Sequence, residues 1–183
     1  MKHTLASGAP PILATERLVL RRMMAYDAPA LHAMLSDAET MRYWSTPPHA
    51  TLAESEAWVG DGVAAMERGD AVDFAVLEGE HIIGRVAFWM GNEIGFLFSR
   101  EIWGQGYAQE ALSAVLRYGF ERLRFASVRA DVDPDNARSL RLLERLGFKR
   151  TGFAERTFRI GDRWVNSVYL ELAAPIPPKP KKR

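Results

Sequence analysis

Two periodicities alternate along the chain. Leu18-Val-Leu20, flanked by charge, reads as a first strand. Asp27 and Pro29 then open a helix carrying Leu31, Met34 and Leu35 on one face. A loop rich in aromatics and prolines follows over residues 41–48. Thr51 and Glu54 have capping-box spacing and head a second helix bearing Trp58, Val59, Val63 and Met66, which Gly60 and Gly62 weaken. Three β-like segments come next: Val72–Leu77, His81–Met90 and Glu93–Ser99. Glu78-Gly79-Glu80 is a hairpin-type turn between the first two. After Gly104 and Gly106, the spacing of Ala108, Ala111, Leu112, Val115, Leu116 and Leu123 predicts a strongly amphipathic helix. Val128–Val132 reads as a strand. Asp133-Pro134-Asp135-Asn136 starts a helix that ends at Leu146, with Gly147 at the C′ position. Phe148–Ile160 and Arg163–Leu172 close the pattern as strands turning at Gly161-Asp162. The resulting order is one strand, two helices, three strands, helix, strand, helix and two strands. That is a mixed α/β (α+β) architecture.

The ends of the chain differ in character. Four of the ten prolines fall at Pro175, Pro177, Pro178 and Pro180, next to Lys179, Lys181, Lys182 and Arg183. Such a segment cannot build a core, so residues 174–183 are expected to form a Pro/Lys-rich disordered tail. Residues 1–14 are expected to be similarly loose, which leaves 15–173 as the folded domain. A total of 183 residues, 48% apolar and 26% charged, suits one globular domain with a full core. No apolar run reaches the ~18 residues of a membrane-spanning helix. Gly8 and Pro10-Pro11 make the amino terminus a poor secretory signal. The expectation is a cytoplasmic protein, monomeric or homodimeric, without a membrane partner.

Composition narrows the chemistry. The net charge of +1 argues against a polyanion binder. Setting aside the tail's four cations leaves 20 basic against 23 acidic side chains on residues 1–178. Nucleic acid is therefore not an expected partner, beyond a weak, salt-dependent contact of the tail with RNA or the ribosome. With no cysteine, disulfides, thiolate nucleophiles and Cys-ligated zinc are all excluded. His3, His32, His49 and His81 lack metal-ligand spacing and read as surface residues, so no metal is expected.

The sharpest local signal is Ile102-Trp-Gly-Gln-Gly-Tyr-Ala-Gln-Glu-Ala111, which follows an apolar strand and opens a helix. Its glycines let a ligand approach the backbone, and the helix's first amides point outward unpaired. With the helix dipole, they form a pyrophosphate site that needs no basic side chain. A glycine-rich turn without a ligand is the plain alternative. A dinucleotide fingerprint fails because Gln109 stands where Gly or Ala packs helix on strand, and because the segment lies mid-chain. With no Gly-Lys pair in the sequence, a Walker A loop is excluded.

Gly104-Gln-Gly-Tyr-Ala108 resembles the acetyl-CoA loop of the GNAT N-acetyltransferases, whose pattern is Gln/Arg-x-x-Gly-x-Gly/Ala. Gly106 and Ala108 match, while Trp103 stands in place of the leading Gln/Arg. Asn136-Ala-Arg-Ser139 followed by Leu143-Glu-Arg-Leu-Gly-Phe148 resembles the family's second block. Thr15-Glu-Arg-Leu-Val-Leu-Arg21 is similar to the RimJ/RimL branch, which acetylates ribosomal-protein amino termini. The resemblance spans nearly all of 15–172 and implies a GNAT fold, with a mixed sheet of about six or seven strands flanked by about four helices. It implies an acetyl-CoA-dependent transfer to a primary amine. A protein or peptide N-terminal α-amine is the leading acceptor. A small amine, such as an amino acid, a polyamine or an aminoglycoside, is the alternative. A non-catalytic acyl-CoA-binding module is a further possibility.

The same resemblance assigns residues. Backbone amides over Gly104, Gln105, Gly106, Tyr107, Ala108 and Gln109 would hold the CoA pyrophosphate. Phe96, Leu97 and Phe98 would pair with the pantetheine arm like an added strand, one amide polarising the thioester carbonyl. Asn136 would bond the same arm, or simply cap its helix. The Tyr that many members carry before the Glu-Arg-Leu-Gly-Phe run is Leu143 here, and Ser139 is the branch's substitute near the leaving sulfur. A first-turn serine bonding local backbone is the alternative reading. Glu93, on the strand entering the site, is the candidate general base acting through water, or else an ordinary strand glutamate. Tyr43, Trp44 and Trp89 are candidates for the acceptor wall, or for core packing.

Overall fold

The computed structural model describes residues 10–160 and 163–175. His3, the Gly161-Asp162 turn and the tail beyond residue 175 lie outside the described residues. Eight strands form one sheet: β1 (Leu13–Ala14), β2 (Val19–Arg22), β3 (Ala71–Glu78), β4 (His81–Trp89), β5 (Glu93–Phe98), β6 (Ser127–Val132), β7 (Lys149–Ile160) and β8 (Arg163–Ala173). Their spatial order is β1-β2-β3-β4-β5-β6-β8-β7. Four α-helices accompany them: α1 (Ala28–Leu35), α2 (Leu52–Glu67), α3 (Tyr107–Glu121) and α4 (Ala137–Arg145).

Every neighbouring strand pair is antiparallel except β5 and β6, which run parallel and share a single register pair, Glu93 opposite Arg129. Beyond that pair the strands diverge, leaving facing backbone edges on Ile94–Phe98 of β5 and on β6. Both ends of the predicted domain need correction. Leu13–Ala14, read as part of a loose segment, pairs with Val19–Leu20. Ala174, placed in the tail, donates its N–H to the Ala126 carbonyl at 2.9 Å. A two-residue strand beside prolines is too short for periodicity to reveal.

Strand alternation sends side chains to two cores. On one face, Leu20, Phe74, Val86, Phe88, Ile94 and Phe98 pack with Leu112, Val115 and Leu116 of α3 and Leu143 of α4. On the other, Ala75 and Leu97 meet Leu31 and Leu35 of α1 and Val59 of α2. Gly84 opposes Phe98 across β4 and β5, and a Cβ at Gly84 would overlap that ring. Phe98 thus lies flat at the end of the strand that enters the cleft. The helix glycines that weakened the α2 reading are accommodated, with Gly62 facing buried Asp73. Thr51 Oγ1 caps the Glu54 amide at 3.3 Å, but the Glu54 carboxylate reaches back one residue further than a capping box, to the Ala50 N–H.

Asp73 and Arg85 form an ion pair buried between the sheet and α2, each about 1% exposed. Arg85 Nε donates to both Asp73 oxygens at 2.8 and 2.9 Å, and Nη2 lies 2.7 Å from Oδ2. The guanidinium also lies 4.4 Å from the Trp58 ring centre and 5.3 Å from that of Trp89. Removing one partner strands the other charge in a dry site. Asp73→Ala is therefore expected to cost about 3–5 kcal/mol in urea unfolding. Replacing both residues together with apolar side chains should cost distinctly less.

Candidate active site

The gap between β5 and β6 opens into a cleft of about 1030 Å³. Phe96, Leu97 and Phe98 form one wall, Gly104, Gln105, Gly106, Ala108 and Gln109 the roof, and Asn136 and Ser139 the opposite wall. Residues scattered over more than forty positions are thereby brought together, with Tyr43 and Trp44 closing one end. Three expected residues lie off the cleft's lining. Tyr107 contributes only its place at the helix start, since its hydroxyl turns away to donate to Glu78. Trp89 and Glu93 pair across β4 and β5, where the strands begin to part.

The roof is built by conformation. Gly104 (φ +80°) and Gly106 (φ +86°) are left-handed, and Gly106 is the N-cap of α3. Having no side chain, Gly106 cannot cap, so the first-turn amides of α3 stay available at the positive end of the helix dipole. Trp103 stands where the family pattern has Gln or Arg. Its indole Nε1–H donates to the Phe98 carbonyl at 3.0 Å and closes the connection from β5 to the loop. The Arg138 guanidinium lies over the Trp103 ring, 4.6 Å from its centre.

On the opposite wall, both readings of Asn136 have a counterpart. Its Oδ1 accepts from the Ser139 N–H at 3.1 Å and caps α4, while the residue also lines the cleft. Asp133 organises the turn before it: Oδ1 accepts the Asp135 N–H and the backbone carbonyl accepts that of Asn136, both at 2.9 Å. Arg138, Arg141 and Arg145 also line the cleft. The sequence reading did not single out this trio, although its spacing of three and four places it on one side of α4. These cations suit a polyphosphate ligand on an otherwise acidic body.

Glu93 is half-buried. Burial raises its pKa above the usual carboxylate range, and the Asp131 charge adds to the rise against the opposing pull of Arg129. Such a carboxylate is a stronger base than an exposed one. Among the described residues, no group of three or more His, Asp or Glu is arranged to hold a metal ion. No helix among them is long and apolar enough to cross a membrane.

The aromatic end of the cleft rests on two histidines. His81 is exposed as expected, but His49 is buried and His32 half-buried, which corrects the surface reading. Their Nδ1 atoms lie 2.9 and 2.8 Å from the Oγ of fully buried Ser55. With both rings neutral, the hydroxyl donates to one and accepts from the other. His49 also meets the edge of Trp58, which meets Trp44 edge-to-face at 6.2 Å. The loop carrying Trp44 is thus fastened to α1 and α2.

The cleft thus joins a left-handed glycine loop at a helix start to a strand edge that its neighbour leaves. The comparisons give the family: residues 17–149 match the acetyltransferase (GNAT) domain, and the chain belongs to that family of N-acetyltransferases. An uncharacterised N-acetyltransferase of Bacillus licheniformis is 32% identical over 148 residues, covering 76% of this chain and 83% of that protein. The ribosomal protein uS5-alanine N-acetyltransferase of Escherichia coli is 27% identical, covering 92% and 94%. A GNAT-family acetyltransferase structure from Bacillus anthracis superposes with a TM-score of 0.78 at 25% identity, covering 90% of this chain and 99% of that one. A Vibrio cholerae spermidine N-acetyltransferase, solved with CoA and spermine, shares the fold at 22% identity and a TM-score of 0.76, covering 87% and 97%.

Two expectations follow. Gly106→Val forces a branched side chain into a left-handed site, so calorimetric affinity for acetyl-CoA should fall at least about tenfold. Burial lowers the pKa of His49, outweighing the opposing effect of Glu54. Its folded value therefore lies below the about 6.5 of an unfolded chain. Between those values the unfolded chain holds the extra proton, so stability falls as pH drops through that window. Thermal melts between pH 7.5 and 5.5 should lose less in His49→Gln than in the parent.

Proposed function

We propose that this GNAT enzyme acetylates the N-terminal α-amine of a protein or peptide, with acetyl-CoA as donor. The observation that carries the reading is the match to the uS5-alanine N-acetyltransferase, which extends over nearly the whole of both chains. Tyr43 and Trp44, which line the cleft beside Phe96–Phe98, suit the wall of an acceptor site. The similarity to the RimJ/RimL branch points the same way. A polyamine acceptor is the second reading, favoured by the Escherichia coli spermidine N(1)-acetyltransferase, 25% identical over 82% of this chain and 83% of that protein.

Acetyl-CoA fits the residues present. Its pyrophosphate suits the amides of Gly104–Gln109 and the arginines of α4. Its pantetheine arm suits the open β5 edge and Asn136. A backbone N–H of Phe96–Phe98 polarises the thioester carbonyl. An α-amine has a pKa of about 8, so a useful fraction is neutral near pH 7. The amine nitrogen attacks the carbonyl carbon, the carbon–sulfur bond breaks, and the acetyl group leaves as an amide. Glu93 takes the surplus amine proton through water. Ser139 hydrogen-bonds the departing thiolate, which is stable enough to leave without full protonation.

An acceptor screen read by thiol release tests the reading. N-terminal Ala and Ser peptides should be turned over with kcat/KM at least about 100-fold above free amino acids, spermidine and aminoglycosides, an advantage of ~3 kcal/mol. Turnover confined to small amines would exclude it. Glu93→Gln should lower kcat by about 100-fold and Ser139→Ala by about tenfold, with acetyl-CoA affinity kept within about twofold. Unchanged kcat in both variants would remove these assignments.

A further inference from the structure

The motif Thr15-Glu-Arg-Leu-Val-Leu-Arg21 lies outside the cleft and has no part in the chemistry above. Its second arginine, Arg21, grips Asp27 through two 2.7 Å bonds, and Asp27 in turn accepts the Met24 N–H ahead of α1. That half fastens a helix. The first half does something different. Thr15 and Leu18 close a tight turn, with the Thr15 N–H on the Leu18 carbonyl at 2.9 Å. The turn aims Thr15 and Arg17 at the first turn of α3.

There, Glu110 collects four donors. Oε1 accepts from the Thr15 hydroxyl at 2.6 Å and the Arg17 backbone N–H at 2.9 Å. Oε2 accepts from Arg17 Nε and lies equally close, 2.7 Å, to Nη2. The remaining guanidinium nitrogen, Nη1, donates to the backbone carbonyl of Gln105 at 3.1 Å. The face of the guanidinium covers the Tyr107 ring at 4.0 Å, and Tyr107 is tethered through its hydroxyl to Glu78 of β3. The Gln105 side chain is held as well, on the Glu101 carbonyl at 2.8 Å.

The point of contact matters. Gln105 and Gly106 share one peptide unit, which ends on the left-handed Gly106, and left-handed Gly104 stands one residue before it. Glycine's freedom makes the required turn attainable, and it also makes reversal of that peptide unit cheap. In a trans peptide the carbonyl and the following N–H point in opposite directions. A Gln105 carbonyl fixed to Arg17 therefore directs the Gly106 N–H away from Arg17, which does not line the cleft, and toward the cleft, which Gly106 does line. Reversal would present a carbonyl to a pyrophosphate. Arg17 is not itself the phosphate ligand, because Glu110 already neutralises its charge.

We propose that Thr15, Arg17 and Glu110 form a clamp that sets the peptide orientation of the pyrophosphate loop, with Arg17 as the positioning residue. The proposal rests on the loop holding the CoA pyrophosphate. It accounts for the link between an amino-terminal motif and a glycine loop some ninety positions away.

The test compares two ligands on the full-length protein: CoA, by calorimetry, and pantetheine, which lacks the pyrophosphate, by NMR titration. Arg17→Met should weaken CoA by about 10- to 100-fold, the size of a lost charge-assisted bond, and leave pantetheine within about twofold. Arg17→Lys, which keeps a donor and the charge, should fall between. Equal weakening of both ligands would mean a merely structural role and overturn the clamp, as would unchanged CoA affinity. If Arg17→Met fails to fold, Glu110→Gln, which replaces one acceptor oxygen with a donor, should give the same selective loss of CoA. Equal affinity of the unaltered protein for CoA and pantetheine would instead remove the pyrophosphate reading, and the clamp with it.

Discussion

The separation of β5 from β6 is the constraint on which the rest depends. A parallel pair with one point of register cannot continue as sheet, and the two cores fix how far apart the strands lie. Ile94 and Phe98 are drawn into the α3/α4 core, while Leu97 is drawn into the α1/α2 core. β5 is thus anchored on both faces, and β6 is held by β8 along its whole length. The gap cannot close without unpacking one core. The cleft is a product of the packing that stabilises the domain.

The three sides of the cleft are rigid for different reasons. β5 is fixed by sheet pairing and by the Trp103 indole on the Phe98 carbonyl. The α4 side is fixed by turn chemistry, through Asp133 and Asn136. The aromatic end relies on a shared hydroxyl between two imidazoles, and burial lowers the pKa of one of them, His49.

Much of this was legible in the chain. The spacing of Ala111, Leu112, Val115 and Leu116 gave α3, and the two glycines before it marked the loop, because conformation and composition coincide there. Asn136 and Gly147 bracketed α4 for the same reason. What escaped lacks a local signature. Whether Glu93 faces the cleft depends on the strand parting one residue later, which no pattern in β5 records. Tyr107 was read only for its backbone amide, and its side-chain direction is set by Glu78, on another strand. The contact of Thr15 with Glu110 spans 95 positions, and nothing near either residue announces it.

The sheet's edges carry a last consequence. β1 has two residues, too few to template a neighbouring chain. β7 is interrupted by two register shifts and a left-handed Arg156, and its outer stretch carries Lys149, Arg150 and Arg159. Both outer margins therefore resist edge-to-edge association in the way natural sheets do. Between β5 and β6, by contrast, unpaired backbone faces inward, between two strands of the same sheet. The fold in this way keeps the hydrogen-bonding capacity of an open strand while denying it to aggregation.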